Sequence, residues 1–244
     1  MNFIEGEILG IDKPIGWTSF DAVKRIRGAI QRSLGLKKFK VGHAGTLDPL
    51  ATGVLIICTG RATKRIAELQ EGHKEYLAEI TLGATTPSFD LETKIDATYP
   101  FEHVTAELIE ETLPKFKGRV MQVPPVFSAV KIDGKRAYSY ARKGKDVELK
   151  AKVLEIPELE LLEFNPPVMK LRILCSKGTY IRALARDLGE ALGTGAHLTG
   201  LRRTRVGDMT IDKCLTLDQA LERINNADPV ESVATSGSNC SSED

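Results

Sequence analysis

The chain has 244 residues, 42% hydrophobic and 27% charged, enough to bury a sizeable core as one large domain or two small ones. No apolar run approaches the roughly 20 residues of a membrane span, and Met1-Asn2-Phe3-Ile4-Glu5 lacks the basic start and apolar core of a signal peptide. Cys58, Cys175, Cys214 and Cys240 are widely spaced with no CxxC pair, which fits neither a disulfide framework nor a structural zinc site but does fit a cytoplasmic protein with free thiols; the net charge of +1 conceals an uneven distribution.

In chain order, Glu7 to Ile11 reads as a short strand. Thr18 then caps a helix, with Asp21 three residues on as a capping-box variant. Phe20, Val23, Ile26, Ile30 and Leu34 follow helical spacing and Gly35 ends the helix. From Val23 to Val41 there are seven basic residues and no acidic one. Gly53 to Thr59 is a continuous apolar strand and Arg61 to Gln70 a short helix. Tyr76, Ala78, Ile80 and Leu82 alternate with Glu75, Glu79 and Thr81, the pattern of a half-buried strand. Thr85 to Pro100 is polar and reads as a loop, and Thr105 to Leu113 as a helix stopped by Pro114. After Pro124-Pro125, residues Val126 to Val147 are basic and tyrosine-bearing with a turn at Asp133-Gly134, as if inserted into the main body.

Val153 to Phe164 and Val168 to Ser176 are strand-like, separated by Asn165-Pro166-Pro167. Gly178-Thr179 opens a helix carrying Ile181, Leu184, Ala185 and Leu188, and a strand follows around His197 to Val206. Thr216 caps a last helix ending near Asn225. Ala227 to Asp244 is Ser-rich and poor in large apolar residues, so it is expected to be a disordered tail. No internal repeat is present. Strands and helices mix without regular alternation, which predicts an α+β fold with a mixed, mostly antiparallel central sheet flanked by helices.

The most informative stretch runs from Val41 to Leu55, where Asp48 stands in a glycine-flanked loop just before the apolar strand. Loops on a rigid scaffold are where catalytic groups concentrate. An ionised carboxylate can act as a nucleophile without a base to activate it, provided a cation holds it ionised once water is excluded. Asp before Pro is also a common turn starter. No second catalytic carboxylate, nucleophilic Ser or Cys, or metal ligand lies beside Asp48 in the sequence, so Asp48 either acts largely alone or is a turn residue.

Several segments, in order and spacing, resemble the TruB family of tRNA pseudouridine synthases. They are Asp12-Lys13-Pro14-Ile15-Gly16-Trp17-Thr18-Ser19, Gly42 to Gly53, Lys74-Glu75-Tyr76, Lys177-Gly178-Thr179-Tyr180-Ile181-Arg182, and His197-Leu198-Thr199-Gly200-Leu201-Arg202-Arg203. The resemblance covers about residues 7 to 215. It implies the pseudouridine synthase fold, with a catalytic domain over residues 1–226, an RNA-gripping insertion at about 124–150 and a tail over 227–244. The implied reaction isomerises uridine 55 in the T-loop of tRNA with neither cofactor nor metal.

By the same resemblance Asp48 is the catalytic aspartate, Tyr76 an active-site tyrosine that stacks on uracil and relays a proton, and Arg182 the arginine that pairs with Asp48. Tyr180 and Leu201 match positions lining the base pocket, His43 a residue that contacts RNA, and Lys13 a motif position assigned to substrate binding. Lys131, with other cations of the insertion, would meet phosphates. The implied partner is the tRNA T-arm, with no membrane, no obligatory protein partner and a monomeric state. The chain runs from the Thr216 helix straight into the tail, so the small RNA-binding PUA-type module that many bacterial members carry is not expected. Two other readings stay open: a non-catalytic RNA-binding protein on the same fold, and a guide-dependent relative acting on ribosomal RNA.

Overall fold

A nine-residue strand, β3 (Ala51–Thr59), lies at the centre of the molecule and is buried along nearly its whole length, as its continuous apolar sequence requires. The structure, a computed structural model, describes residues 2–128, 131–132, 135–136, 140 and 149–226. On one side β3 pairs antiparallel with β1 (Ile8–Lys13). On its other side its start pairs parallel with β13 (Ala196–Val206) and its end antiparallel with β2 (Val41–Ala44). The sheet continues from β13 through β4 (Lys74–Leu82) and β12 (Val168–Cys175) to the edge strand β11 (Glu158–Asn165), all antiparallel. Short β14 (Met209–Thr210) and β15 (Leu215–Thr216) pair with β13 and β1. With two parallel pairings among otherwise antiparallel ones, this is the mixed, mostly antiparallel sheet that the pattern predicts.

Tyr76, Ala78, Ile80 and Leu82 on β4 are buried as the alternation requires, while Leu77 and Glu79 face outward. Helix α1 (Ser19–Ser33) carries the expected capping box between Thr18 and Asp21, and buries Ala22, Val23, Ile26, Ala29 and Ile30. Phe20, expected on that apolar face, is instead 60% exposed. Ser19 takes the inward place in the first turn, where its hydroxyl both donates to the Leu47 carbonyl and accepts from the Leu47 N–H.

The segment expected as a helix from Arg61 is a 3₁₀ turn, Gly60–Arg65, running into the short α2 (Ile66–Leu69). The expected loop at 85–100 is closed by a small pair, β5 (Ala84–Thr85) with β6 (Ala97–Thr98). Helix α3 (Ala106–Thr112) passes into a 3₁₀ turn containing Pro114.

The strand expected from Val153 to Phe164 is two. β10 (Lys152–Ile156) leaves the main sheet to pair with β7 (Gly118–Gln122), while β11 begins after Pro157. A proline has no N–H for the ladder, so it marks the place where the chain changes sheets. Of the expected insertion, β8 (Lys131–Ile132) and β9 (Lys135–Arg136) pair antiparallel. Most of its interior, including Asp133-Gly134, lies outside the described residues, as does the tail from Ala227 to Asp244.

Helix α4 (Ile181–Ala191) starts with Tyr180 at its N-cap, later than the expected opening at Gly178-Thr179. Helix α5 (Leu217–Asn225) carries a second capping box, Thr216 with Gln219, and packs on α1. No helix of the described residues is long and apolar enough to cross a membrane.

Candidate active site

Asp48 occupies the connection between β2 and β3, and four separate elements hold that connection from below. From α1, Ser19 binds both polar groups of the Leu47 peptide. From the segment after β1, the Gly16 N–H donates to the Pro49 carbonyl at 2.8 Å. From β1, the fully buried Lys13 ammonium donates to the carbonyls of Pro14, Trp17 and Pro49. From β13, the buried Arg203 guanidinium donates to the carbonyls of Gly45 (3.1 Å), Thr46 (3.3 Å) and Val54 (2.7 Å). Gly45 adopts φ +91°, open to glycine at little cost, and Gly53 adopts φ +100° where β3 meets the Arg203 backbone. The Asp48 side chain rises from this support and remains 41% exposed.

Arg182, in the first turn of α4, reaches Asp48 from the far side of a cleft. Its Nε lies 2.9 Å from Asp48 Oδ2, and its side chain is only 6% exposed. The two terminal nitrogens donate to the Ser88 and Phe127 carbonyls, so the whole guanidinium is fixed. A charge-assisted contact from an immobilised arginine orients a carboxylate.

No pattern in the sequence singles out the next residue. Asp90, 4% exposed, places Oδ2 3.5 Å from the same Arg182 Nε. Its other oxygen accepts from the Ser88 hydroxyl and the Glu92 N–H. Phe89, just before it, has φ +62°, a strained conformation for a bulky residue, in the turn that presents Asp90. Arg182 therefore stands between a buried carboxylate and an accessible one, and the absence of a carboxylate near Asp48 in the sequence is corrected in space.

The cleft in front of Asp48 is lined by Leu50, Ala51, Asp90, Arg182, Leu198 and Leu201, among others. Leu201, on β13 opposite Ala51 of β3, supplies part of an apolar wall. Tyr76, opposite Arg203 in the β4–β13 ladder, is 8% exposed. Burial pushes its phenol above the ordinary tyrosine range, while the neighbouring Arg203 cation pulls it back down. Tyr180 is fixed through its backbone, which exchanges two hydrogen bonds with the Gln122 amide. Burial raises its phenol too, opposed by the Ser128 hydroxyl and by Arg182.

His43 lies on β2, half-buried; burial lowers its pKa, against a hydrogen bond with the Gly45 backbone, and its buried Nδ1 has no partner among the described residues. Lys131 is placed only through its backbone in β8. Lys13 is brought to the site but under it, its donors committed to the loop; that geometry supports a loop-holding part rather than contact with a substrate. Burial brings its pKa down to about 8, with Asp48 opposing and Arg203 reinforcing the shift. Among the described residues there is no group of three or more His, Cys, Asp or Glu side chains placed to hold a metal.

Thus Asp48, Arg182 and Leu201 line one cleft from the β2–β3 connection, α4 and β13, while Tyr76 on β4 and Tyr180 at the N-cap of α4 are not among its lining residues but lie within electrostatic reach of Asp48. A family model described as the TruB family pseudouridylate synthase N-terminal domain matches residues 31–181, and one described as the tRNA pseudouridylate synthase B C-terminal domain matches residues 182–233. The class defined by this fold and site is that of the pseudouridylate synthases. Within it, the chain belongs to the TruB family.

It is 69% identical over 218 residues to the tRNA pseudouridine synthase B of Phocaeicola vulgatus, covering 89% of this chain and 93% of that one. It is 63% identical over 226 residues to the protein of that name from Parabacteroides distasonis, covering 91% and 96%. Among solved structures, it resembles a chain of a Cbf5–Nop10–Gar1 complex with a TM-score of 0.66 at 30% identity, over 91% of this chain and 55% of that one. An H/ACA ribonucleoprotein bound to a substrate RNA containing 2'-deoxyuridine gives a TM-score of 0.64 at 28% identity. The chain spans about half the length of those two structural relatives.

Proposed function

We propose that this protein isomerises uridine 55 in the T-loop of tRNA to pseudouridine, with Asp48 as the catalytic carboxylate, working as a cytoplasmic monomer without an obligatory protein partner. The observation that carries this reading is the 2.9 Å contact between a fixed, buried Arg182 and a partly exposed Asp48 at the mouth of an apolar cleft. A protein that only bound RNA would have no use for an accessible carboxylate oriented in this way by a buried arginine. The guided, multi-protein alternative is less well supported. The relatives at 63–69% identity, matched over 93% or more of their length, carry the name of a tRNA enzyme.

In the isomerisation, the bond from uracil N1 to ribose C1' breaks, the base rotates, and C5 bonds to C1'. The proton on C5 is lost and N1 gains one, so no atom is added overall. Asp48 serves this beside the glycosidic bond by one of three routes: addition to the ring, attack on the sugar, or removal of a sugar proton. Each requires an oriented carboxylate, and the Arg182 contact supports that orientation. Tyr76 stacks on the uracil and offers its hydroxyl as a proton relay, and Leu201 walls the base. The target lies inside a stacked loop, so the nucleotide is extruded at a cost of a few kcal/mol, offset by stacking in the cleft. The test is to incubate the protein with unmodified tRNA and map pseudouridine at nucleotide resolution. Modification at position 55 supports the reading, and modification elsewhere or none overturns it.

A further inference from the structure

We propose that the outward face of α1 is a binding surface for the phosphate backbone of the substrate RNA, away from the nucleotide taken into the Asp48 cleft. The inference rests on the RNA-modifying reading above and adds to it a second, extended contact region. Lys24, Arg25, Arg27 and Arg32 line one open depression along the helix together with Trp17 and Gly28. Lys24, Arg25 and Arg32 are exposed. Among the described residues none of these four cations has a carboxylate within ion-pair distance, whereas Arg61, Arg65, Lys170 and Arg172 on other faces all do. The acidic residue on this face, Asp21, is engaged in capping through Thr18.

Helix propensity does not explain this arrangement. Lys24 and Arg27 stand three apart, where like charges repel. Lys24 and Arg25 also lie in the N-terminal half of the helix, where the dipole gives a cation no benefit. An anion from outside the chain removes the conflict. A second protein is the weaker occupant. The large apolar side chains of this face, Trp17 and Phe20, stand at the start of the helix, and the rest of the depression is lined by cations, Gly28 and Gln31 rather than by the apolar anchors that dominate protein interfaces.

Position favours the same RNA that enters the cleft. The start of α1 is tied to the Asp48 loop through the Ser19–Leu47 pair and the Gly16–Pro49 hydrogen bond. From there the 15-residue helix runs about 22 Å. On this proposal, a strand whose uridine sits beside Asp48 continues past Phe20, 60% exposed and able to stack on a base or sugar, to the row of cations along the helix.

The test is equilibrium binding of fluorescently labelled, unmodified tRNA at several salt concentrations. Three proteins are compared: wild type, Arg25→Gln with Arg32→Gln, and Arg25→Lys with Arg32→Lys. Both positions are exposed and both replacements are good helix formers, so the fold is kept. The Gln pair is expected to weaken binding about tenfold and to flatten the slope of log Kd against log salt by about 2, one unit per lost phosphate contact. The Lys pair is expected to restore most of both. A Gln pair within twofold of wild type with an unchanged slope overturns the proposal, as does an equal loss in the Gln and Lys pairs. Because the readout is affinity, this outcome is separate from the position of pseudouridine, which alone decides the proposed activity.

Discussion

The connection that carries Asp48 is held by residues that do not line the cleft. Arg203 is the strongest of them, spending its guanidinium on the carbonyls of Gly45, Thr46 and Val54 around the Asp48 connection. Lysine keeps the charge but cannot reproduce the planar fork. Arg203→Lys is therefore expected to lower the single-turnover rate by about tenfold to a hundredfold, because a displacement of about 1 Å at the reacting group is enough for that. The affinity for tRNA should change little, and an unchanged rate would remove Arg203 from the account.

Lys13 gives a pH dependence. Its folded pKa of about 8 lies below the 10.5 of the free side chain. Between those values the unfolded chain holds the proton that the folded chain has released, so stability rises with pH across that window. Denaturant unfolding should show the wild type gaining stability relative to Lys13→Met from about pH 8 to 10.5. A flat or opposite difference would mean that the buried ammonium is not strained by its surroundings.

At the scale of elements, β3 and β13 are locked where Gly53 faces Arg203. A Cβ built at Gly53 would lie 2.1 Å from the Arg203 carbonyl oxygen, at φ +100°. Gly53→Ala should therefore cost about 3 kcal/mol or more, lowering Tm by roughly 6–12 °C in a chain of this size; an unchanged Tm would contradict the close approach. Much of this level was legible beforehand. The apolar run of β3, the alternation of β4 and both threonine caps each satisfy a local rule, and the structure keeps them.

Elements that depend on a distant partner were not legible. β2 is four residues, Val-Gly-His-Ala, with no pattern of its own, and it exists because β3 offers it an edge. Pro157 was the available signal that Val153 to Phe164 is two strands. Phe20 fitted the helical period and is nonetheless outside, because the loop needs Ser19 inside. Asp90 sits in a polar stretch that reads as a loop. Only the meeting of that stretch with α4 and β13 makes it a partner of Arg182. The pairing of Asp48 with Arg182 was legible through motif resemblance, since no local rule brings two such distant segments together.

For the whole molecule, a near-neutral balance conceals separate basic and acidic faces. Arg172 gathers Glu75, Glu158 and Glu160 on the outer side of the sheet, while Lys24, Arg25, Arg27 and Arg32 of α1 have no ion-pair partner among the described residues. Such a division lets one face approach a polyanion while the net charge stays low. Affinity for tRNA should consequently fall steeply with added salt, by about 10³-fold between 50 and 200 mM if some six phosphates are contacted. A flat response would count against RNA as the ligand.

The central claim is that one carboxylate, held by Arg182, carries out the isomerisation. Single-turnover formation of pseudouridine at position 55, compared between wild type and Asp48→Asn with tRNA affinity measured alongside, tests it most directly. The account predicts that Asp48→Asn binds tRNA about as well as wild type and forms no pseudouridine; formation at the wild-type rate would contradict it.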